Sequence, residues 1–305
     1  MNNIILIDAN SIGFAGFNGG KLTSGSLETQ AIFNFVRGLR SIANNYQGAE
    51  IIVLWDGDSK QNFRYKLYPD YKGGKRRSPE MLKMKESYKA QVPKIKEFVN
   101  ALGIRQITSA PHEADDLAGL LVKKFASDNV IIRLITRDWD WSQLVKKNVV
   151  WHNQTDKKMI NIDNFEEVTG YKTPLAFLQG KALQGDSSDN INGVGGIGEK
   201  GAIKLLNEWS SVNELLKQFK SGEFTPKTKS VQNLVSPQGI NIYNRNLRLM
   251  QLLRPELPLS SSYTSQDKGK FDIDKFKDLC GSCAFMSILN DLEDFLSPFN
   301  ATVSK

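Results

Sequence analysis

Short runs of β-branched and aliphatic residues predict five buried strands in the first half of the chain. They are Asn3–Ile7, Glu50–Leu54, Ile104–Ile107, Val130–Ile135 and Val149–Trp151. Between them, apolar residues at helical spacing predict helices over Leu27–Ala43 and Glu113–Phe125. Strands that alternate with helices indicate an α/β fold with a mainly parallel central sheet and helices on both faces.

The pattern changes after about Tyr171. Helices predicted over Pro174–Gln184 and Glu199–Trp209 flank a glycine-rich turn from Gly193 to Gly198, which indicates a compact helical module. The polar stretch Lys220–Ser236 predicts a loop, and the residues after it predict mixed helix and coil.

A length of 305 residues allows one large α/β domain with a smaller appendage. We expect a catalytic domain over residues 1–170, a helical module over 171–222 and a C-terminal region over 223–305 that packs on the core. No apolar stretch approaches membrane-spanning length, and the first residues lack the basic region of a signal peptide. We therefore expect a cytoplasmic monomer that makes no membrane contact.

The net charge of +7 is concentrated between Lys60 and Glu97, where twelve Lys or Arg residues accompany four Asp or Glu residues. Such a basic segment indicates a surface that binds phosphates, although a solvated helix face can look similar.

Acidic residues follow several of the predicted strands, open one predicted helix or follow another. The nine acids of this set are Asp8, Asp56, Glu113, Asp115, Asp116, Asp138, Asp140, Asp186 and Asp189. The carboxyl ends of parallel strands meet at one edge of a sheet, where ligands bind. Oxygen-rich groups without histidine suit Mg²⁺ or Mn²⁺, and two such ions about 4 Å apart assist phosphodiester hydrolysis. The alternative is a scatter of helix caps and turns.

Six motifs in a fixed order resemble the 5′-nuclease, or flap endonuclease, family, and most of all the stand-alone enzymes of tailed phages. They are I-L-I-D-A-N, L-W-D-G-D, Y-P-D-Y-K-G-G-K-R, E-A-D-D, T-R-D-W-D and G-D-S-S-D-N-I-N-G-V-G-G-I-G-E-K-G-A. The resemblance extends from Ile4 to about Trp209. It implies a PIN-like 5′-nuclease core joined to a helix-hairpin-helix module.

The resemblance also implies roles for single residues. The first metal ion would be surrounded by Asp8, Asp56, Glu113, Asp115 and Asp116, and the second would be served by Asp140, Asp186 and Asp189. Asp138 would lie near both ions. Lys72 would contact the scissile phosphate, with Arg76 favoured over Lys75 as its basic partner; the alternative is that Lys72 is one more member of a basic patch. Tyr71 would stack on the base at the cut, or else is a buried tyrosine.

Two further elements of the family would bind nucleic acid. Residues of about 73–97 correspond to a helical arch for a 5′ single strand, where Arg77, Lys83, Lys85 and Lys89 supply charge, although a plain surface helix would look similar. The glycine-rich turn would grip duplex DNA, often with a bound K⁺. Its proposed contacts are Gly196, Gly198, Lys200 and Lys204.

The sequence departs from the family pattern beside two motifs. Gly201 stands where many relatives have an arginine, which would weaken or shift the contacts with the duplex. Arg137 and Trp139 flank Asp138 where smaller residues are commoner, so access to the second metal ion would differ.

The resemblance implies a structure-selective 5′ nuclease, both a 5′→3′ exonuclease and a flap endonuclease, acting in primer removal, replication or repair. Its substrates would be DNA with 5′ flaps, nicks or 5′ ends, and RNA–DNA hybrids. Single-strand-binding or replication proteins would be partners, in the host cytoplasm if a bacteriophage encodes the chain. The alternatives are a PIN-like ribonuclease, which lacks a place for the arch and hairpin, and a non-catalytic junction-binding protein on the same fold.

Overall fold

A seven-stranded sheet forms the centre of the computed structural model, which describes residues 2–16, 20–73, 78–253, 258–262 and 264–300. The strands in spatial order are β11 (Thr264–Asp267), β5 (Arg105–Ser109), β4 (Glu50–Trp55), β1 (Asn2–Asp8), β6 (Val130–Ile135), β7 (Val149–Asn153) and β8 (Lys158–Ile160). The five inner strands pair in parallel, whereas β11 and β8 pair antiparallel at the edges. The predicted mainly parallel α/β sheet is confirmed.

Strand β1 lies in the middle of the sheet, and its alternate side chains enter two separate cores. Ile4 and Leu6 pack into one buried cluster. Ile5 and Ile7 pack into the other. Successive side chains of a strand point to opposite faces, so an unbroken apolar run suits a strand that helices cover on both sides. Asp8 is therefore carried to the carboxyl edge of the sheet, where the apolar run ends.

Helices cover both faces of the sheet. The core that contains Ile5 also contains residues of α1 (Ala9–Ala15), α2 (Gln30–Asn45), α4 (Pro79–Ala101), α12 (Ile273–Ser282), α13 (Met286–Leu289) and α14 (Leu292–Asn300). The opposite core contains residues of α3 (Phe63–Leu67), α5 (Ala114–Phe125), α6 (Phe165–Thr169), α7 (Pro174–Gln184), α8 (Glu199–Glu208), α9 (Val212–Ser221), α10 (Lys229–Val235) and α11 (Pro237–Met250). Among the described helices, none is long and apolar enough to span a membrane.

Three predictions of secondary structure were wrong in detail. The helix predicted from Leu27 begins at Gln30, because β3 (Leu27–Glu28) pairs with β2 (Thr23–Ser24) instead. The stretch predicted as a loop contains α10, whose first turn is capped by Thr228. Strand β11 was missed, since its sequence T-S-Q-D has no apolar alternation and depends on pairing with β5.

The segment after α11 packs closely against the α/β domain. A Cβ at Gly119 of α5 would lie 2.4 Å from the carbonyl oxygen of Leu252, so this approach requires glycine. The Gln143 amide donates to the carbonyl of Met250 and accepts from the amide of Leu252, at 3.1 and 3.0 Å. Residues 250–252 are thereby fixed beside the helix that begins with the E-A-D-D motif.

Candidate active site

A cleft of about 600 Å³ opens at the carboxyl ends of β1, β4 and β6. Six of the residues selected from the sequence line it together: Asp8, Asp56, Lys72, Glu113, Asp115 and Asp138. They come from five separate segments of the chain. Asp8, Asp56 and Asp138 come together because the parallel strands that lead to them end at one edge of the sheet.

Asp8 and Asp138 are held through one threonine. The Asp8 carboxylate accepts from the Thr136 hydroxyl at 2.8 Å and from the amide of Ser11 at 3.0 Å. The same hydroxyl oxygen accepts from the amide of Asp138 at 3.0 Å. Burial raises the pKa of Asp8 to about 6, and the charge of Asp56 adds to this effect. Burial and the charge of Asp140 raise the pKa of Asp138 to about 7.

Asp56 and Asp115 both lie at the start of α5, Asp115 as a residue of the helix and Asp56 through a hydrogen bond to it. The Asp56 carboxylate accepts from the amide of Ala114 at 2.9 Å, in the first turn of that helix. Asp115 accepts from the Trp141 indole at 2.6 Å. Burial, followed by the charge of Asp138, raises the pKa of Asp115 well above its ordinary range. Burial and the charge of Glu113 also raise the pKa of Asp56.

These raised pKa values reflect carboxylates that repel one another in a partly enclosed cleft, where Asp8 is buried and Asp56 and Asp138 remain accessible to solvent. A donor set of carboxylate oxygens without imidazole or thiolate fits Mg²⁺ or Mn²⁺. In the part of the chain that the structure describes, no three Asp, Glu, His or Cys side chains converge closely enough to form a closed ion site.

Asp116 does not line this cleft, which corrects its predicted place around the first metal ion. Its two carboxylate oxygens accept from the Arg64 guanidinium at 2.7 and 2.8 Å, and both side chains are buried. Arg64 also donates to the carbonyl of Leu249 at 2.8 Å and lies 3.5 Å from Glu113. Although burial opposes its charge, Asp116 raises the pKa of Arg64. The buried Arg64–Asp116 pair lies next to Glu113 and orients its side chain.

Lys72 lies where the sequence predicted, at the rim of the cleft. Its ammonium nitrogen is 2.7 Å from a carboxylate oxygen of Glu113, and its side chain is 33% exposed. Its backbone has φ +55°, and its amide donates to the carbonyl of Asp189 at 2.8 Å. Although burial opposes its charge, Glu113 and Asp189 raise the pKa of Lys72, so the side chain stays cationic.

Tyr71 does not present the stacking face that the resemblance implied. The residue is only 2% exposed. Its hydroxyl lies 3.0 Å from a carboxylate oxygen of Glu113 and 3.0 Å from one of Asp189, and it donates to one of them at a time. Tyr71 therefore joins the E-A-D-D motif to the G-D-S-S-D motif from inside the protein.

The three acids assigned to a second metal ion are not among the residues that line the cleft. The Lys181 ammonium lies between Asp140 and Asp186, at 3.0 and 3.2 Å from their carboxylates. Hydrogen bonds from Ser188 and the charge of Lys181 outweigh burial and lower the pKa of Asp186. Asp189 is held by Tyr71, as described above. This second group of acids is therefore held by a cation and a hydrogen-bond donor of the chain itself, Lys181 and Tyr71.

The predicted arch is helical from Pro79 onwards. Helix α4 begins at Pro79, with Ser78 as its N-cap, and its first turns contain no buried residue. Lys83 and Lys89 are exposed, and Lys85 is half-buried. Met81, Met84 and Tyr88 follow one another at helical spacing on α4, but only Tyr88 is buried. Its hydroxyl donates to the carbonyl of Ala9 at 3.2 Å, which fixes the helix beside Asp8. Lys75, Arg76 and Arg77 lie outside the described residues.

The glycine-rich turn joins α7 to α8 through the short pair β9 (Gly185–Asp186) and β10 (Ile191–Asn192). Gly196 has φ +83°, a conformation that favours glycine. Gly198 is the N-cap of α8, where a Cβ would meet nothing within 4 Å. Lys200 and Lys204 are exposed on this helix. The turn therefore presents open backbone next to two lysines.

Sequence reasoning missed the residues that support the acids. Arg64, Thr136, Trp141 and Lys181 were not selected, although each contacts a selected carboxylate. Asp156 also lines the cleft. Two of these residues could have been identified from the sequence. Thr136 begins the T-R-D-W-D motif, and Arg64 is a charged residue between two aromatic residues, in F-R-Y.

The fold and the site together define an α/β protein whose acidic, cation-suited cleft adjoins a helical hairpin module. Residues 3–170 match the family model of the 5′–3′ exonuclease N-terminal resolvase-like domain. Residues 172–264 match that of the 5′–3′ exonuclease C-terminal SAM fold. The chain belongs to the 5′–3′ exonuclease family, which confirms the resemblance found in the sequence.

Curated relatives include DNA polymerase I of Lactococcus lactis subsp. cremoris, with 32% identity over 305 residues, 94% of this chain and 33% of that protein. The thermostable DNA polymerase I of Thermus aquaticus is 34% identical over 219 residues, 71% of this chain and 25% of that protein. The chain thus spans about a third or less of the length of these relatives.

Two solved structures share the fold. The 5′-exonuclease of bacteriophage T5, determined with zinc ions, superposes with a TM-score of 0.69 at 23% identity, over 98% of this chain and all of that one. The catalytic core of Rad2, determined with a DNA substrate, gives a TM-score of 0.56 at 16% identity, over 98% of this chain and 91% of that one.

Stability as a function of pH tests the crowding of the carboxylates. Since the pKa of Asp138 rises from its ordinary value of 3.8 to about 7 on folding, its charge opposes folding increasingly as the pH rises through that range. In EDTA at pH 8, Asp138→Asn is expected to be more stable to denaturant by ~1 kcal/mol, allowing for solvent screening. The gain should vanish towards pH 4.

The control is Asp128→Asn, which removes an exposed carboxylate paired with Lys147 and should change stability little at any pH. Equal stability of the Asp138→Asn protein and the wild type at pH 8, or a difference that does not depend on pH, would contradict the crowding.

Proposed function

We propose that the protein is a structure-selective 5′ nuclease, a 5′→3′ exonuclease and flap endonuclease that hydrolyses phosphodiesters at single-strand/duplex junctions. Its substrates would be DNA with 5′ flaps, nicks or 5′ ends, and RNA–DNA hybrids, in primer removal, replication or repair. The observation that carries this proposal is the meeting of five motif acids and Lys72 in one cleft, with the basic helix α4 held beside Asp8 by Tyr88.

The acids of the cleft, Asp8, Asp56, Asp115 and Asp138, would hold Mg²⁺ or Mn²⁺. Such ions, when bound, act as Lewis acids on the phosphate and lower the pKa of water. Lys72 would place a fixed positive charge beside the scissile phosphate, where negative charge develops during hydrolysis. Glu113 holds that ammonium at 2.7 Å, so the charge is positioned before substrate arrives.

The surfaces outside the cleft would supply most of the affinity. Nucleic-acid phosphates are repelled by a wall of carboxylates, so binding requires cations elsewhere on the protein. The lysines of α4 would contact a 5′ single strand. The open turn at Gly196 and Gly198, with Lys200 and Lys204, would contact the duplex, and K⁺ would bind at the carbonyls of this turn.

The decisive test is cleavage of three end-labelled substrates, a 5′ flap, a nicked duplex and an RNA–DNA hybrid, each with and without Mg²⁺. We expect cleavage near the junction with Mg²⁺ or Mn²⁺ and none in EDTA. Asp138→Asn should nearly abolish cleavage while duplex binding persists, because the lysines outside the cleft remain. Binding of all three substrates without cleavage in either metal would favour the non-catalytic alternative.

Substitution of Lys72 tests whether this residue acts in the chemical step rather than in DNA binding. Lys72→Ala should lower the single-turnover rate about 100-fold, as for the loss of a contact made in the transition state, with little change in DNA affinity. Lys200→Ala should instead weaken duplex binding and flatten its salt dependence. Lys66→Ala, which removes an exposed lysine of α3, is the matched control. Identical behaviour of the Lys72 and Lys200 variants would show that the assigned roles are wrong.

The lysines of α4 should distinguish flaps from nicks. Reversal of Lys83, Lys85 and Lys89 to glutamate should impair cleavage of long 5′ flaps far more than cleavage at a nick, because only the flap has a single strand to contact them. The same reversal at Lys123, Lys124 and Lys277 is a control of equal charge at exposed positions outside α4. Equal losses on both substrates would mean that the basic run is only a solvated face.

A further inference from the structure

One wall of the cleft carries aromatic and basic residues that the proposed reaction does not yet use. Trp139 and Arg137 line the cleft together with the acids. Trp139 is 38% exposed, whereas Trp141 and Trp151 are fully buried nearby. A large aromatic side chain left accessible inside a cleft is a candidate contact surface, since its burial on binding is favourable.

The Trp139 ring is held in place from the protein side. It packs on Trp151, with 5.3 Å between the ring centroids and 38° between the ring planes. The Trp151 indole donates to the carbonyl of Asp138 at 2.8 Å. Trp139 follows Asp138 directly in the chain, and its ring packs on Trp151, which is hydrogen-bonded to Asp138. The exposed face of Trp139 therefore has a fixed position relative to the Asp138 carboxylate. A ligand that covers it would not have to order it first.

Positive charge flanks this ring. The Lys158 ammonium on β8 lies 6.0 Å from the Trp139 ring centroid. The exposed Arg137 side chain lines the cleft on the same wall, and with Asn153 it also lines an adjoining pocket of about 290 Å³. An aromatic ring flanked by cations is the combination that binds single-stranded nucleic acid, because bases stack on the ring and phosphates pair with the cations.

We propose that Trp139 stacks on a nucleobase of the cleaved strand next to the scissile phosphate, while Arg137 and Lys158 pair with the flanking phosphates. The strand would continue past Arg137 towards the adjoining pocket. This inference rests on the proposed nuclease function, which supplies a strand in the cleft. It also gives the site a stacking surface, since Tyr71, to which the sequence assigned that role, is buried.

The test compares the effect of removing one base from the DNA with the effect of removing the Trp139 ring from the protein. DNA affinity is measured in EDTA, where the strand stays uncut, on a series of 5′-flap substrates with a single abasic nucleotide at successive positions. In the wild type, one position beside the junction should weaken binding about 5- to 100-fold, the range for loss of one stacked base. Trp139→Leu should weaken binding to intact DNA by a similar factor and lose the sensitivity to that position.

Two variants separate stacking from a structural role. Trp139→Phe keeps an aromatic face against Trp151 and should retain part of the sensitivity to the abasic position. Met286→Ala removes an exposed apolar side chain from α13 and should retain all of it. If Trp139→Leu does not fold, the comparison of wild type with Trp139→Phe still applies, together with quenching of 2-aminopurine placed at the sensitive position of wild-type complexes.

The inference is overturned if no abasic position weakens wild-type binding, or if Trp139→Leu keeps the wild-type pattern. Either result can occur while the wild type cleaves flaps with Mg²⁺, so it leaves the proposed function intact. Conversely, a wild type that cleaves no substrate would reject the proposed function on a separate measurement.

Discussion

Repulsion between carboxylates at one edge of the sheet is the constraint on which the rest of the site depends. The pKa values of Asp8 and Asp138 are raised because burial and neighbouring charges disfavour their ionised forms. Such a cluster opposes folding unless cations and hydrogen-bond donors surround it. Arg64, Lys72 and Lys181 each pair with acids of the motifs, and backbone amides cap others. The basic residues next to the cleft thus balance charge before they contact any substrate.

This balance links distant parts of the chain into one site. Arg64 holds Asp116 behind Glu113 and donates to the carbonyl of Leu249, at the end of α11. Gly119 admits the backbone of Leu252 against the same helix that Asp56 caps. The position of the E-A-D-D motif therefore depends on residues more than 100 positions later in the sequence. We expect a substitution at the end of α11 to shift the acids of the E-A-D-D motif through these contacts.

The sequence predicted the strands and helices that are defined by a local pattern of residues. Strand Val130–Ile135 and helix Pro174–Gln184 were predicted with the observed limits, because apolar period and flanking residues define them. The convergence of the strand-end acids followed from the geometry of a parallel sheet. The roles of Asp116 and Tyr71 could not be derived in this way. Their partners lie 52 and 118 residues away along the chain, and nothing local distinguishes a carboxylate that faces a cleft from one that faces a buried guanidinium.

The same electrostatics explains why affinity for the strand must come from groups other than the acids of the cleft. A wall of carboxylates attracts divalent cations but repels the phosphates that it would help to cleave, so the strand has to be delivered against that repulsion. The exposed lysines of α4 and α8 lie on separate elements, outside the acids. If α4 contacts a single strand and α8 a duplex, as proposed, a substrate that engages both would contain a single strand and a duplex at once. Preference for a junction would then follow from the spacing of two basic surfaces, with the acids of the cleft contributing chemistry and little affinity.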